Sequence, residues 1–395
     1  MIGPTTVLIL ADESAEWRIA GLAQLDRLVL ALNELAVSHS PNEIIDAIIF
    51  WRPDIPSAQR WLPRHPRITR VRLTESVKAI PPGVRVLYSR LFVQRNGLAE
   101  FLSDREPVSI DSPPEETIDR WQELAARFKN CVSPQRAADL WRFTASSKDV
   151  ASCTNEFLSR AGKSQDGIVS RYLNRPLSRF VSRYLLRFDV TPTAWTIALF
   201  SLPIAAVFSL VRGDYFGIAA GAFLFQLYSI LDGCDGEIAR ATYQESERGG
   251  RIDDFLDMIG SMLFVIGLGI GLFRSESSIY LLEGIVCAAV IATNEWFLRR
   301  VKAPDQPESQ ELTNALYPRH RRLFANPALG KISDHQWWWI VQFTKRDFAI
   351  LLFLLLALLD RPQWILHLWL SVSAITLALS ARSGSGETSR VQPGT

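Results

Sequence analysis

Four aspartates in the 26-residue stretch from Asp232 to Asp257, between two apolar runs, carry the chemistry of this chain. Asp232 and Asp235 are followed by Gly236, Ala239 and Arg240, and then, beyond residues 241–248, by Gly249, Asp253 and Asp257. Helical offsets of three, four and seven put Asp232, Asp235, Gly236 and Ala239 on one helix face, with Arg240 adjacent. Gly249, Asp253 and Asp257 share a face at steps of four. Two carboxylate pairs on adjacent helices then converge. Uncompensated carboxylates in an apolar setting are costly, and divalent cations compensate them. Oxygen donors without a His or Cys set favour Mg²⁺ or Mn²⁺ over zinc. Four carboxylates around two such ions suit phosphoryl or phosphodiester transfer, where the metals stabilise the entering and leaving oxygens. Arg240 supplies a planar donor fork for a phosphate. Gly236 and Ala239 remove side-chain bulk, so a nucleotide can lie against the helix.

The elements that must hold these residues read as membrane helices. Val190 to Val211 carries no charge and is long enough to cross a bilayer core of roughly 30 Å. Tyr215–Leu231, Met258–Phe273, Gly284–Asn294, Phe348–Leu359 and Pro362–Ala381 follow as further apolar runs, giving an expectation of six spans. Glu283 marks an interfacial or functional end of the fourth. Lys345 and Arg346, beside the short fifth run, read as snorkelling residues. Arginines crowd the segment before the first span and the loops after the second and fourth. Arg212, Arg274 and Arg361 stand in the other loops. This bias places the N-terminal region and the aspartate site on the cytoplasmic side of the cell (inner) membrane.

The whole-chain figures hide that organisation. The 395 residues carry 43 Lys+Arg against 41 Asp+Glu, a net charge of +2, and 48% are hydrophobic. Such a balance excludes a histone-like nucleic-acid binder and an acidic disordered chain. Cys131, Cys153, Cys234 and Cys287 show no metal or disulfide spacing. Residues 1–164 read as a soluble α/β domain: strands at Val7–Leu10 and Ile45–Phe50 flank a helix over 20–36 with Leu22, Leu25, Leu28, Leu32 and Leu35 on one side. Acidic residues so soon after the first apolar run predict no cleavable signal. Residues 165–189 form a basic amphipathic element of the membrane interface, and 384–395 a disordered tail. The expected architecture is thus an α/β soluble N-terminal domain followed by an all-α six-helix transmembrane domain over 190–383.

The pattern Asp232-x-x-Asp235-Gly236-x-x-Ala239-Arg240, then Gly249-x-x-x-Asp253-x-x-x-Asp257, resembles the complete signature of the CDP-alcohol phosphotransferase (phosphatidyltransferase) family. The resemblance covers about residues 166–383. It implies six membrane helices, a homodimer and a cytoplasm-facing site that moves a phosphoalcohol from a CDP-alcohol donor to an acceptor hydroxyl and releases CMP. It also implies two Mg²⁺ or Mn²⁺ ions per site bound by Asp232, Asp235, Asp253 and Asp257, with Asp257 as general base. Gly236, Ala239, Arg240 and Gly249 would form the nucleotide and diphosphate site. One departure is Thr193 in Pro192-Thr193-Ala194-Trp195-Thr196, where the family usually has asparagine. The segments Asp166–Arg175 and Asp232–Arg240 are similar to the branch that makes di-myo-inositol phosphate phosphate from CDP-inositol and inositol phosphate. Rivals are a phospholipid-synthesising transferase using CDP-diacylglycerol and a non-catalytic membrane scaffold.

That branch often carries an N-terminal cytidylyltransferase domain. Here Ala11–Arg18 lacks the glycines that let backbone amides approach a triphosphate. Val86–Arg90 lacks a metal-binding aspartate. Residues 1–164 are therefore expected to be a nucleotidyltransferase-like, non-catalytic domain, with another α/β regulatory domain as the alternative. Five arginines from Arg171 to Arg187 precede the first span. Besides anchoring to lipid headgroups, Arg171 and Arg175 are candidates for holding the phosphate of the acceptor. Arg319, His320, Arg321 and Arg322, with Trp337, Trp338 and Trp339, read as a further interfacial segment.

Overall fold

The computed structural model describes residues 6–39, 44–75, 83–95, 97–104, 109–110, 115–132, 140–160, 166–301, 342 and 345–387. The basic and tryptophan-rich segment over 319–339 lies outside them, as does most of the expected tail over 384–395; its first four residues, 384–387, are instead helical, continuing the helix Gln363–Glu387. The chain forms two compact units: residues 1–161 with 183–189 and 237–244, and residues 162–182 with 190–236 and 245–395.

The first unit begins with strand β1 (Thr6–Ala11), the hairpin strands β2 (Arg18–Ile19) and β3 (Leu22–Ala23), helix α1 (Gln24–His39) and strand β4 (Ile45–Trp51). Then come β5 (Val71–Thr74), β6 (Val84–Tyr88), β7 (Leu91–Val93), α2 (Gly97–Asp104), β8 (Ser109–Ile110), α3 (Ile118–Cys131), β9 (Trp141–Phe143) and α4 (Val150–Arg160). The main sheet has the order β5-β4-β1-β6-β8. Its first four strands are parallel, and β8 is antiparallel to β6. Parallel strands are covered on both faces and read as continuous apolar runs. Val7, Leu8, Ile9 and Leu10 are accordingly fully buried, and Leu8 pairs with Ile48 on one side and Val86 on the other. Leu25, Leu28, Val29 and Leu32 of α1 are buried in the same core. The expected helix over 20–36 starts later, at Gln24. Ala20 and Gly21 both have positive φ and turn the chain into the β2–β3 hairpin, so helix cannot run through them.

The ends of β1 and β6 lie side by side, where an open α/β sheet of this kind binds ligands. Here that position is tied up internally. Asp12 accepts from Ser14 N–H (2.8 Å), Tyr88 Oη–H (2.6 Å) and Arg90 Nε–H (2.9 Å), and Arg90 also reaches Glu13 (2.6 Å). Burial pushes the Asp12 carboxyl up, but the Ser14 and Tyr88 hydrogen bonds and the Arg90 charge outweigh it and hold it below its ordinary value. The chain over Glu13–Glu16 is a short 3₁₀ turn rather than a glycine loop.

The second unit is helical. A π turn (Ser170–Asn174) precedes α5 (Arg175–Leu185), whose second residue, Pro176, has no N–H to donate. Next are α6 (Pro192–Leu199) and α7 (Ser201–Leu210), interrupted just before Pro203, then α8 (Tyr215–Ala241), α9 (Glu247–Ser275) and α10 (Ile279–Val301). The last are α11 (Arg346–Leu358) and α12 (Gln363–Glu387). Among the described residues, three stretches are long and apolar enough to cross a membrane: Pro192–Leu210, Tyr215–Ala241 and Glu247–Ser275, with mean hydropathies of 1.8, 1.3 and 2.0. Phe208, Phe216, Ile197 and Phe223 point outward, at 75%, 76%, 59% and 56% exposure, as lipid-facing residues do. Inside, Phe225 stacks on Phe264 (centroids 4.4 Å apart), and Trp369 stacks on Phe353 (5.0 Å). Glu283 of α10 is paired with His367 Nδ1 of α12 at 2.6 Å.

Among the backbone-close contacts in this unit, two bring glycine against glycine. Gly213, at φ +74°, lies against Gly271 of α9, where an added Cβ would overlap the Leu210 carbonyl oxygen. Gly269 of α9 meets Gly284 of α10, each Cα 3.2 Å from where the other's Cβ would stand. Small residues at such crossings bring membrane helices into direct contact and fix the position of α9.

Candidate active site

Helix α8 carries Asp232, Asp235 and Gly236, and α9 carries Gly249, Asp253 and Asp257. Ser246 caps α9 by accepting from the Gly249 N–H at 3.0 Å, which fixes where the helix begins. A Cβ at 249 would come within 2.9 Å of that hydroxyl and 3.6 Å of Thr193 Oγ1. Residue 193, the departure from the family pattern, thus stands at the start of α9. Ala239 is buried and Arg240 half-buried, farther along α8.

The aspartates are held by neighbours that their spacing does not reveal. Thr196 of α6 donates its Oγ1–H to Asp235 Oδ2 at 2.7 Å. Trp195 Nε1–H donates to the Leu231 carbonyl at 3.2 Å, tying α6 to α8. Tyr228, one turn before Asp232, donates to Asp257 Oδ1 at 2.8 Å. Arg346, at the start of α11, grips Asp257 through both guanidinium nitrogens: Nη2 to Oδ1 at 2.8 Å and Nη1 to Oδ2. The charges of Asp257, Asp253 and Asp235 all act on Asp232, and those of Asp235 and Asp257 act on Asp253.

Among the described residues no group of three or more His, Cys, Asp or Glu side chains closes around a point as a ligand set. The Asp257 oxygens are turned to Tyr228 and Arg346, which accounts for that. The donor chemistry nevertheless fits a hard cation. Oδ1 of Asp232 and Oδ1 of Asp253 are both buried without a hydrogen-bond partner. An orphaned buried carboxylate oxygen costs about 1–3 kcal/mol or more, and a divalent ion with oxygen preference would satisfy both.

The candidate acceptor residues are separated. Arg175 is buried and bidentate to Asp166, with Nε–Oδ2 at 2.8 Å and Nη2–Oδ1 at 3.0 Å. Its Nη1 points to the Gly233 carbonyl of α8 at 3.5 Å. Arg171 is exposed. Asp347, beside Arg346, accepts from the Ser170 N–H at 2.6 Å, and Gln342 Oε1 accepts from the Ile168 N–H at 3.2 Å. The start of α11 therefore holds the 166–175 segment and the aspartate set together.

A cavity of about 680 Å³ opens beside Asp257. Arg346, Asp254 and Asp257 stand on its wall with Ser261, Asn294 and Ser373, but the rest is apolar, including Phe353 and Trp369.

Residues 189–310 match the family model described as CDP-alcohol phosphatidyltransferase. A bifunctional IPC transferase and DIPP synthase of Archaeoglobus fulgidus is 30% identical over 280 residues, 71% of this chain and 48% of that protein. Proteins of the same description from Thermococcus kodakarensis and Rubrobacter xylanophilus are 47% identical over 93 residues and 35% over 155. These alignments take in 23% of this chain and 20% of the first protein, and 38% of this chain and 35% of the second. The chain spans about half the length, or less, of these relatives.

Proposed function

We propose that this chain, which belongs to the CDP-alcohol phosphatidyltransferase family, is a membrane transferase that moves a phosphoalcohol from a CDP-alcohol to an acceptor hydroxyl. The observation that carries the reading is the pair of α8 and α9 aspartates with buried, orphaned oxygens on Asp232 and Asp253. Asp232, Asp235, Asp253 and Asp257 would hold two Mg²⁺ or Mn²⁺ ions. Those ions would supply charge neutralisation of the diphosphate and of the entering and leaving oxygens. Thr196 and Tyr228 orient Asp235 and Asp257. Asp257 takes the proton of the acceptor hydroxyl, whose oxygen then bonds to the β-phosphorus as the bond to CMP breaks. Gly236, Ala239, Arg240 and Gly249 form the nucleotide and diphosphate site.

The same reading has α10, α11 and α12 complete six spans in the cell membrane, with the site and both termini on the cytoplasmic side, in a homodimer. The first unit is a nucleotidyltransferase-like domain without catalysis of its own; the Asp12–Arg90 network and the missing glycine loop support this. Inositol phosphate is the leading acceptor, because the relatives are named for DIPP synthesis. The apolar wall of the cavity beside Asp257 favours a second reading, in which one substrate is a lipid.

The test is a product-mass assay of the purified chain with CDP-inositol or CDP-diacylglycerol and either inositol or inositol phosphate. A phosphorylated acceptor should be used at least tenfold better, as expected when one charge-assisted hydrogen bond of roughly 1.5–3 kcal/mol is at stake. Equal use of both acceptors sinks the phosphate-acceptor reading. Product only with CDP-diacylglycerol favours the lipid one.

A further inference from the structure

Arg346 occupies a position whose chemistry the aspartate signature leaves unassigned. Its guanidinium lies bidentate on Asp257, and the same side chain stands on the wall of the 680 Å³ cavity. Among the described residues lining that cavity it is the one cation. Charge counting gives its position a consequence. Ionised as cation ligands, Asp232, Asp235, Asp253 and Asp257 would carry four negative charges, of which Arg346 balances one. Two divalent cations on the same carboxylates would neutralise all four. Arg346, whose side chain is 40% exposed, would then be left without its Asp257 partner at the edge of a mostly apolar cavity, with Asp254 on the same wall. A planar fork of this kind matches a phosphate in the same bidentate manner as a carboxylate.

We propose that Arg346 exchanges Asp257 for a substrate phosphate when cations bind, so that cation binding and phosphate binding at the cavity are coupled through this one side chain. The proposal rests on the cation-dependent reading given above and adds an order to it. A cation ligated by Asp257 competes with Arg346 for the carboxylate, and the released guanidinium becomes a phosphate site. Coupling of this sort is reciprocal, so bound phosphate also tightens cation binding by the same factor. The phosphate can belong to a soluble polyol phosphate or to a lipid headgroup, since both present the same two oxygens.

The experiment is a binding measurement that needs no turnover. Mn²⁺ affinity is read by electron paramagnetic resonance on the full-length protein in nanodiscs, with no phosphate added, with inositol phosphate, and with phosphatidic acid in the disc. Wild-type protein is expected to bind Mn²⁺ about tenfold tighter when the right phosphate is present, and whichever of the two arms shows it identifies the source. Arg346→Gln should bind Mn²⁺ at least as tightly as wild type without phosphate, because the competing cation is gone, and should show no phosphate effect. Arg346→Lys, which keeps the charge but not the fork, should retain part of it and guards against a misfolded glutamine variant. Coupling of equal size in wild type and Arg346→Gln would show that the metal alone holds the phosphate and would overturn the proposal. So would Mn²⁺ binding that neither phosphate changes in wild type. Absence of Mn²⁺ binding in wild type would instead overturn the underlying cation reading, and this inference with it.

Discussion

Asp232→Asn, Asp235→Asn and Asp253→Asn should each lower turnover about a thousandfold while leaving the protein folded and inserted. Each change keeps the shape of the side chain and removes one charge. For Asp232 and Asp253 the group affected carries an orphaned buried oxygen. For Asp235 it is a carboxylate oriented by Thr196 at 2.7 Å. If these groups hold cations that stabilise the entering and leaving oxygens, losing one weakens transition-state stabilisation by several kcal/mol, and ~4 kcal/mol is a factor of about a thousand. The folded state should not suffer. Removing one of four crowded like charges relieves repulsion, so thermal stability should hold or rise. Initial rates and melting curves of the same purified samples separate the two effects. A variant that melts like wild type and turns over within tenfold of it would remove that aspartate from the catalytic set.

The largest effect on stability is expected at Gly271. A Cβ there would overlap the Leu210 carbonyl oxygen and sit 3.4 Å from Gly213 Cα, so α7 and α9 would have to separate. Backbone atoms cannot swing aside as a flexible side chain can. Overpacking of this kind costs roughly 1–3 kcal/mol even for a methyl group. Gly271→Ala should therefore lower the Tm by about 5 °C, and Gly271→Leu should prevent a stable fold in detergent. Because α9 carries Asp253 and Asp257, activity should fall in parallel. An alanine variant with unchanged Tm would mean that the two helices do not pack as closely as the structure has them.

The two features that were most legible in the sequence had rigid periodicities behind them. The aspartates recur at helical intervals at the ends of long uncharged runs, so their helices and faces could be read directly. The parallel strands of the first unit are buried on both sides, and Val7–Leu10 and Ile45–Phe50 announce this by having almost no polar residues. The hairpin over 18–23 was less visible because the leucines of α1 continue the helical rhythm backwards through Leu22, and only the positive φ values of Ala20 and Gly21 break it. Arg346 was hidden for a different reason. A basic residue at the edge of an apolar run looks the same whether it snorkels to a headgroup or reaches inward to an acid, and residue 257 is 89 positions away. Tyr228 was hidden by its type, which is ordinary in an apolar helix, and Thr196 was visible only as part of the segment Pro192–Thr196, without its partner, until their hydroxyls were found on Asp257 and Asp235. Arg175 stood out as a basic residue facing the site, yet spacing could not reveal that Asp166 takes two of its nitrogens.

The central claim is that the α8 and α9 aspartates support cation-dependent transfer from a CDP-alcohol. Its most direct test is CMP release by the purified full-length chain, given a CDP-alcohol and an acceptor, with Mg²⁺ or with EDTA. CMP should appear only when Mg²⁺ is present, in amounts equal to the phosphodiester formed, and should vanish in Asp232→Asn. CMP formation that continues undiminished in EDTA, or in that variant, would contradict it.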